Sequence, residues 1–250
     1  GSTLISSGAG TCMVTATKAA NGNYLATSSV STAITIAKQT PTFTWSGVSK
    51  VYGDRFALTT PTSSTPGTWT YSSGTASVIS LSGSTATVAG YGSSVITAAF
   101  TPTDTTNYVS GGTTTMTISV GKATPTFSWS PATKTFGDSS FTLTAPTSST
   151  PGTWSYSSGN TSVITLSGAT ATVTGVGSSI ITGNFTPTDA TNFVSGGTTT
   201  MTVTVQQGPQ PTTLAISSTT GTYGANVALT TTGGNGGGAN SFVVASGPCT

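Results

Sequence analysis

The sequence predicts an all-β chain: tandem seven-stranded β-sandwiches, with a third sandwich split between the N- and C-terminal ends. Three observations predict it. First, charged residues make up 4% of the 250 residues, against about 25% in ordinary soluble domains, so Thr, Ser, Gly and Asn must form the polar surface. Second, one block of sequence is written twice, at an offset of 84 residues from Trp45 to Trp129 and 85 from Trp69 to Trp154. Third, each end carries a partial copy of the same block.

The composition suits strands. Thr is β-branched and fits a pleated, half-exposed surface. Good helix formers are scarce, and no segment shows a 3.6-residue apolar period. Disorder is the competing reading for a Ser/Thr/Gly-rich chain. It is disfavoured because 34% of residues are hydrophobic, they alternate with polar ones, and aromatic residues recur regularly.

The repeat spans residues 38–121 and again 122–206. In the first copy the expected strands run in order. Thr42–Trp45 and Phe56–Thr59 open the repeat. Thr68–Ser72 follows, with Trp69 and Tyr71 on one face. Val78–Leu81 and Thr85–Ala89 are short alternating runs. Val95–Thr101 sends Ile96, Ala98 and Phe100 to one side, and Thr115–Val120 does the same with Met116, Ile118 and Val120. Turn residues separate them at Gly53-Asp54, Pro66-Gly67, Ser82-Gly83, Gly90-Tyr91-Gly92 and Pro102-Thr103-Asp104. Seven short strands with regular turn signals in one such block argue for an immunoglobulin-like sandwich. The aromatics expected in the cores are Trp45, Trp69, Tyr71 and Phe100, and their counterparts Trp129, Trp154, Tyr156 and Phe185.

The segments SPATKTFGDSSFTLTAP, SSGNTSVITLSGATATVTGVGSSIIT and FTPTDATNFVSG resemble the bacterial immunoglobulin-like tandem repeats of large secreted and surface-anchored proteins of adhesin or fibre type. The resemblance covers the whole chain. It implies an extracellular or cell-surface setting and a role as spacer, stalk, fibre or adhesin arm. It implies no catalytic residues and no cofactor.

The ends refine the domain organisation. Residues 1–37 align with the second half of a repeat: Gly8-Ala9-Gly10 on Gly90-Tyr91-Gly92 and, after a two-residue gap, Tyr24 on Tyr108. After a linker at 207–211, residues 212–250 align with the first half: Tyr223-Gly224 on Tyr52-Gly53, and Ala228-Leu229 on Ala57-Leu58. Half a sandwich exposes its inner face, here Val14, Ile34 and Ile36 at the start and Leu214, Ile216 and Leu229 at the end, together with unpaired strand edges. At roughly 25 cal/mol per Å2, covering several hundred Å2 of such surface is worth on the order of 10 kcal/mol. Three arrangements would cover it. The tail of one chain completes the head of the next, the chain is one period of a longer covalent array, or the two ends of one chain meet.

Cys12 and Cys249 are the only cysteines, one in each half. An extracellular setting favours a disulfide between them, which would crosslink successive copies if the halves come from different chains. Unpaired thiols are the alternative.

Little else offers chemistry. There is no His and no Glu; the four acids are Asp54, Asp104, Asp138 and Asp189, all in turn contexts. No metal or cofactor site is expected, and the chain reads as non-enzymatic. The six basic residues Lys18, Lys38, Lys50, Arg55, Lys122 and Lys134 are scattered, which argues against nucleic acid. A net charge of +2 gives little self-repulsion and favours association with copies of itself. No apolar run approaches the ~20 residues of a membrane-spanning helix. A surface glycan is the other partner considered, through an exposed Trp or Tyr. The expected function is a structural subunit or repeat unit of an extracellular filament. The alternative is an adhesin stalk or carbohydrate-binding module.

Overall fold

In the computed structural model, which describes residues 3–210, 212–234 and 237–247, the chain is all-β, with no helix among the described residues. It divides into two compact units. One comprises Gly1–Thr126, Ser148–Thr153 and Phe185–Gly197. The other comprises Phe127–Thr147, Trp154–Asn184 and Thr198–Thr250.

The first unit begins with β1 (Gly10–Val14), β2 (Thr17–Lys18), β3 (Thr27–Ser28) and β4 (Thr32–Ile36). These form two antiparallel ladders, β1 with β4 and β2 with β3. A complete sandwich follows, made of β5 (Phe43–Thr44), β6 (Val48–Val51), β7 (Arg55–Ala57), β8 (Thr62–Ser63), β9 (Gly67–Ser73), β10 (Ile79–Ser82), β11 (Thr85–Val88), β12 (Gly92–Pro102) and β13 (Thr113–Gly121). One sheet has the order β6-β13-β12-β9, the other β10-β11-β7, and β5 pairs with β8. Period-2 patterning decides which side chains enter. In β12, Ser94, Ile96, Ala98, Phe100 and Pro102 are buried, alternating with more exposed neighbours. Ile96, Met116, Ile118 and Val120 from one sheet meet Leu58, Ile79, Ala86 and Val88 from the other side in a single core. Phe43, Trp69 and Phe100 form an aromatic group with centroid separations of 4.7 to 5.1 Å.

The second repeat reproduces the strand order with β14 (Phe127–Ser128), β15 (Ala132–Thr135), β16 (Phe141–Thr142), β17 (Thr147–Ser148), β18 (Gly152–Ser158), β19 (Ile164–Ser167), β20 (Thr170–Val173), β21 (Gly177–Pro187) and β22 (Thr198–Gln206). Its sheets are β15-β22-β21-β18 and β16-β20-β19, with β14 beside β17. Its core, in the second unit, is Leu143, Val163, Ile164, Ala171, Ile181, Met201, Val203 and Val205. The chain continues into β23 (Ala215–Ile216) and β24 (Thr231–Thr232), which pair with each other.

The strand count differs from expectation. Each repeat has nine strand segments rather than seven. The additional ones in the first repeat are β6 and β8. β6 pairs parallel to β13, Val48 opposite Ile118. Its inward positions are Val48 and Lys50, while Val51 faces out, so its apolar pattern gives no period-2 signal. The Lys50 stem lies inward and its Nζ sits 4.4 Å from the Phe56 ring centre. β8 is two residues long, too short for any periodicity.

The terminal segments carry the same local geometry as the repeats. Gly10 pairs with Ile36 as Gly92 pairs with Val120 and Gly177 with Val205. All three glycines have a positive φ, of 142°, 130° and 132°. At the other end Gly224 (φ 82°) follows Tyr223 as Gly53 (φ 91°) follows Tyr52, and Ala225 N–H donates to Thr222 O as Asp54 N–H donates to Val51 O. Within the described residues, β1 pairs with β4 alone and β23 with β24 alone.

Candidate functional site

The candidate site is a loop that recurs once per repeat, Asp104–Tyr108 and Asp189–Phe193. Each is built by its aspartate. Asp104 Oδ1 accepts hydrogen bonds from Thr106 N–H and Asn107 N–H, both 3.0 Å, and Oδ2 accepts the Asn107 side-chain amide at 2.7 Å. Asp189 does the same with Thr191, Asn192 and the Asn192 amide. The first residue of the same repeat, a lysine, closes the loop: Lys38 Nζ donates to Thr105 O and Lys122 Nζ to Ala190 O, both at 2.6 Å. The hydrogen bonds from the asparagine, side chain first and then backbone, hold both carboxyls below their ordinary value, with smaller help from the next backbone N–H and the lysine.

With its Nδ2 pinned by the aspartate, the asparagine Oδ1 is fixed as an outward acceptor. In both loops it is taken by the backbone of the preceding repeat. Asn107 Oδ1 accepts Ala9 N–H at 2.7 Å, and Asn192 Oδ1 accepts Tyr91 N–H at 2.8 Å. Ala9 and Tyr91 occupy the same place in the Gly-X-Gly turn of successive copies. At the second site more is added. The Phe193 ring meets Tyr52 edge-on at 5.3 Å, and Lys122 Nζ lies 5.5 Å from the Tyr91 ring centre. The arrangement is a clamp between consecutive repeats, made of one acceptor, one aromatic and one cation, and all these contacts lie within the first unit. In the sequence these Asp and Asn residues read as local turn formers, and the second role of the asparagine is not visible in that reading. The available signal was that an aromatic follows the asparagine in both repeats.

Phe100 and Phe185 are fully buried. Trp45 and Tyr71 pack half-buried against the first core, Trp129 and Tyr156 against the second. Burial also pushes the Tyr156 phenol up from its ordinary pKa. Trp45 Nε1–H donates to Thr59 O at 2.8 Å and Trp129 Nε1–H to Thr144 O at 2.6 Å. Trp69 and Trp154 are half-buried, Trp154 edge-on to Phe127 at 5.1 Å. Cys12 is a half-buried free thiol in β1; Cys249 lies outside the described residues. Among the described residues no three His, Cys, Asp or Glu side chains converge as metal ligands. A groove of about 350 Å3 beside Trp129, Pro131, Lys134, Phe141 and Met201 is lined by apolar and Ser/Thr residues alike and holds one charged group, Lys134, whose Nζ lies over Phe141.

No family model matches the sequence, and no curated protein is significantly similar to it. Among solved structures the chain is similar to Drosophila N-cadherin EC1-4, with a TM-score of 0.33 and 11% identity over 78% of this chain and 57% of that one. It is also similar to mouse Cadherin-23 EC22-24, with a TM-score of 0.32 and 14% identity over 79% and 74%. The chain thus spans little more than half of the first of these.

Proposed function

We propose that this chain is a non-catalytic structural unit of an extracellular bacterial filament or surface fibre, joined head to tail by completion of a split immunoglobulin-like domain. The observation that carries the reading is where the apolar surface lies. Among the described residues every core residue falls between Leu58 and Val205, whereas the end segments expose Leu4, Ile5, Leu25 and Val30 on one side and Leu214, Ile216, Leu229 and Val243 on the other. Leu25 is 92% and Val243 90% exposed. The strand register of one end is that of the back half of a repeat, and the turn of the other is that of a front half. Each end supplies what the other lacks. Completion by strand addition covers both faces, and a heterologous contact of this kind propagates rather than closes. The completion is the same whether the copies are separate subunits or successive periods of one polypeptide.

Low charge and a Thr/Ser surface support tolerance of close packing with like chains. A disulfide from Cys12 to Cys249 of the neighbouring copy would secure the completed domain, as a crosslink between separate subunits or, in one continuous polypeptide, by closing a short loop worth roughly 3 kcal/mol on the chain-entropy model. The adhesin or glycan-binding alternative draws no support from Trp45 and Trp129. The Trp45 and Trp129 N–H groups are spent on Thr59 and Thr144, and their rings lie on Tyr71 and Tyr156 at 5.7 and 5.5 Å.

The test is sedimentation velocity of the purified chain over a concentration series, with non-reducing gels alongside. The proposal expects concentration-dependent growth and a ladder at integer multiples of the chain mass that collapses on reduction or in Cys12→Ser. A monomer at all concentrations would overturn it.

A further inference from the structure

We infer that the exposed pair Phe136 and Val176 is the docking site for the Asn21–Tyr24 loop of a second copy of this chain, a third instance of the inter-repeat clamp. The inference rests on the head-to-tail reading and specifies its contacts. Phe136 stands where Tyr52 stands in the first repeat, and Val176, in Gly175-Val176-Gly177, stands where Tyr91 and Ala9 stand. The backbone around both pairs is the same. Tyr52 N–H donates to Gly121 O and Phe136 N–H to Gln206 O, at 3.0 and 2.8 Å. Gly92 pairs with Val120 and Gly177 with Val205. Yet Tyr52 is half-covered by Phe193, while Phe136 is 50% exposed; Val176 is as exposed as Tyr91, 49% against 51%, so the difference lies at the aromatic position.

The occupants of the two filled sites name the missing one. Each filled site receives an Asn-aromatic pair, from a repeat's back half where the aromatic is seen to pack: Asn192-Phe193 on Tyr91 and Tyr52. Asn107 takes Ala9 in the same way and is followed by Tyr108. The N-terminal half carries the third such pair, Asn23-Tyr24. It sits at the tip of the β2–β3 ladder, where Asn21 Oδ1 accepts Asn23 N–H and Tyr24 N–H at 3.0 and 2.9 Å. Asn21 Oδ1 thus takes the two backbone N–H groups that the aspartate Oδ1 takes in the other loops, in a loop one residue shorter that places Asn23 two residues after it rather than three. Tyr24 is 76% exposed and Asn23 is exposed. If the N-terminal half of one copy completes the C-terminal half of another, its loop falls in line with the turn of the preceding repeat, which is the second repeat of that other copy. Asn23 Oδ1 then accepts Val176 N–H and the Tyr24 ring meets Phe136. The linker there, QQGPQP, brings no lysine, so this clamp lacks the cation of the other two.

The test is a double-mutant cycle on self-association of the full chain by sedimentation velocity, with Tyr24→Ala, Phe136→Ala and the combined variant. An aromatic pair of this kind corresponds to about a 3- to 10-fold change in dissociation constant. Each single variant is expected to weaken association by that factor, and the combined variant by no more than either alone. Asn23→Ala is expected to weaken association as well. Both rings are exposed, so the variants should keep the parent melting temperature, checked by circular dichroism. Association that is unchanged by the single variants, or weakened multiplicatively in the combined one, overturns the docking site and leaves head-to-tail completion standing. A parent chain that does not associate overturns both.

Discussion

Gly67→Ala should destabilise the first repeat by about 1–2 kcal/mol, and Gly152→Ala should do the same to the second. A Cβ at Gly67 would overlap Phe100 Cζ and lie 2.5 Å from both Phe100 Cε2 and Thr101 O. Neither neighbour can yield cheaply. Phe100 is 2% exposed and is hemmed in by Phe43 and Trp69 at 5.1 and 4.7 Å. Thr101 O is backbone in β12, whose register with β9 places Thr101 opposite Thr68. Overpacking of this kind costs about 1–3 kcal/mol, towards the upper end when backbone must move. Replacing glycine stiffens the unfolded chain and returns about 0.4–1 kcal/mol. At Gly152 the same three atoms recur, Phe185 Cζ and Cε2 and Thr186 O. Urea unfolding followed by Trp fluorescence is the assay. With a slope near 1 kcal/mol per M, each midpoint should fall by about 1–2 M. Gly22→Ala, where a Cβ meets nothing within 4 Å, should stay within about 0.5 kcal/mol of the parent. Unmoved midpoints for both variants, or a shift in only one, would refute the packing argument and the equivalence of the repeats.

Three further outcomes follow from the same geometry. Asn192→Ala removes the acceptor of Tyr91 N–H and the donor to Asp189, so amide hydrogen exchange at Tyr91 should quicken by about 10-fold, as expected for roughly 1–2 kcal/mol; unchanged exchange would remove the clamp. Asp104 and Asp189 have folded pKa values below the ordinary 3.8, so their stabilisation is fully present above that value and is lost as pH falls through the lowered one. The Ala9 and Tyr91 amide signals should therefore hold at neutral pH and shift only in acid; a transition near neutrality would contradict the assignment. Trp45→Phe keeps the ring on Tyr71 but deletes the hydrogen bond to Thr59 O, and thermal unfolding should show a loss of about 1 kcal/mol, against several for Trp45→Ala.

Fold class was legible because alternating hydrophobic residues and regularly recurring aromatics outweigh the Ser/Thr/Gly-rich composition that would otherwise read as disorder. Thr-rich alternation around Ile96, Ala98 and Phe100 places those side chains inside, and the structure buries all three. β6 was not legible, because a lysine takes an inward position and a valine an outward one, which cancels the period. β8 is set by its partner β5 rather than by its own two residues. The loop Asp104–Tyr108 was readable as a turn, since Asp and Asn bond their local backbone. Its outward acceptor was not, because that role depends on a backbone N–H far along the chain, at Ala9 or Tyr91. The equivalence of Ala9 and Tyr91 was nonetheless visible in the Gly-X-Gly alignment, and the clamp joins positions that the alignment had already paired.

The most direct test of head-to-tail completion is electron microscopy of the purified chain at high concentration. The account predicts unbranched filaments with an axial period of three sandwich lengths. Strands of 11 residues at about 3.3 Å each put that period at roughly 110 Å. Dispersed single particles of one chain, with no filaments at any concentration, would contradict it.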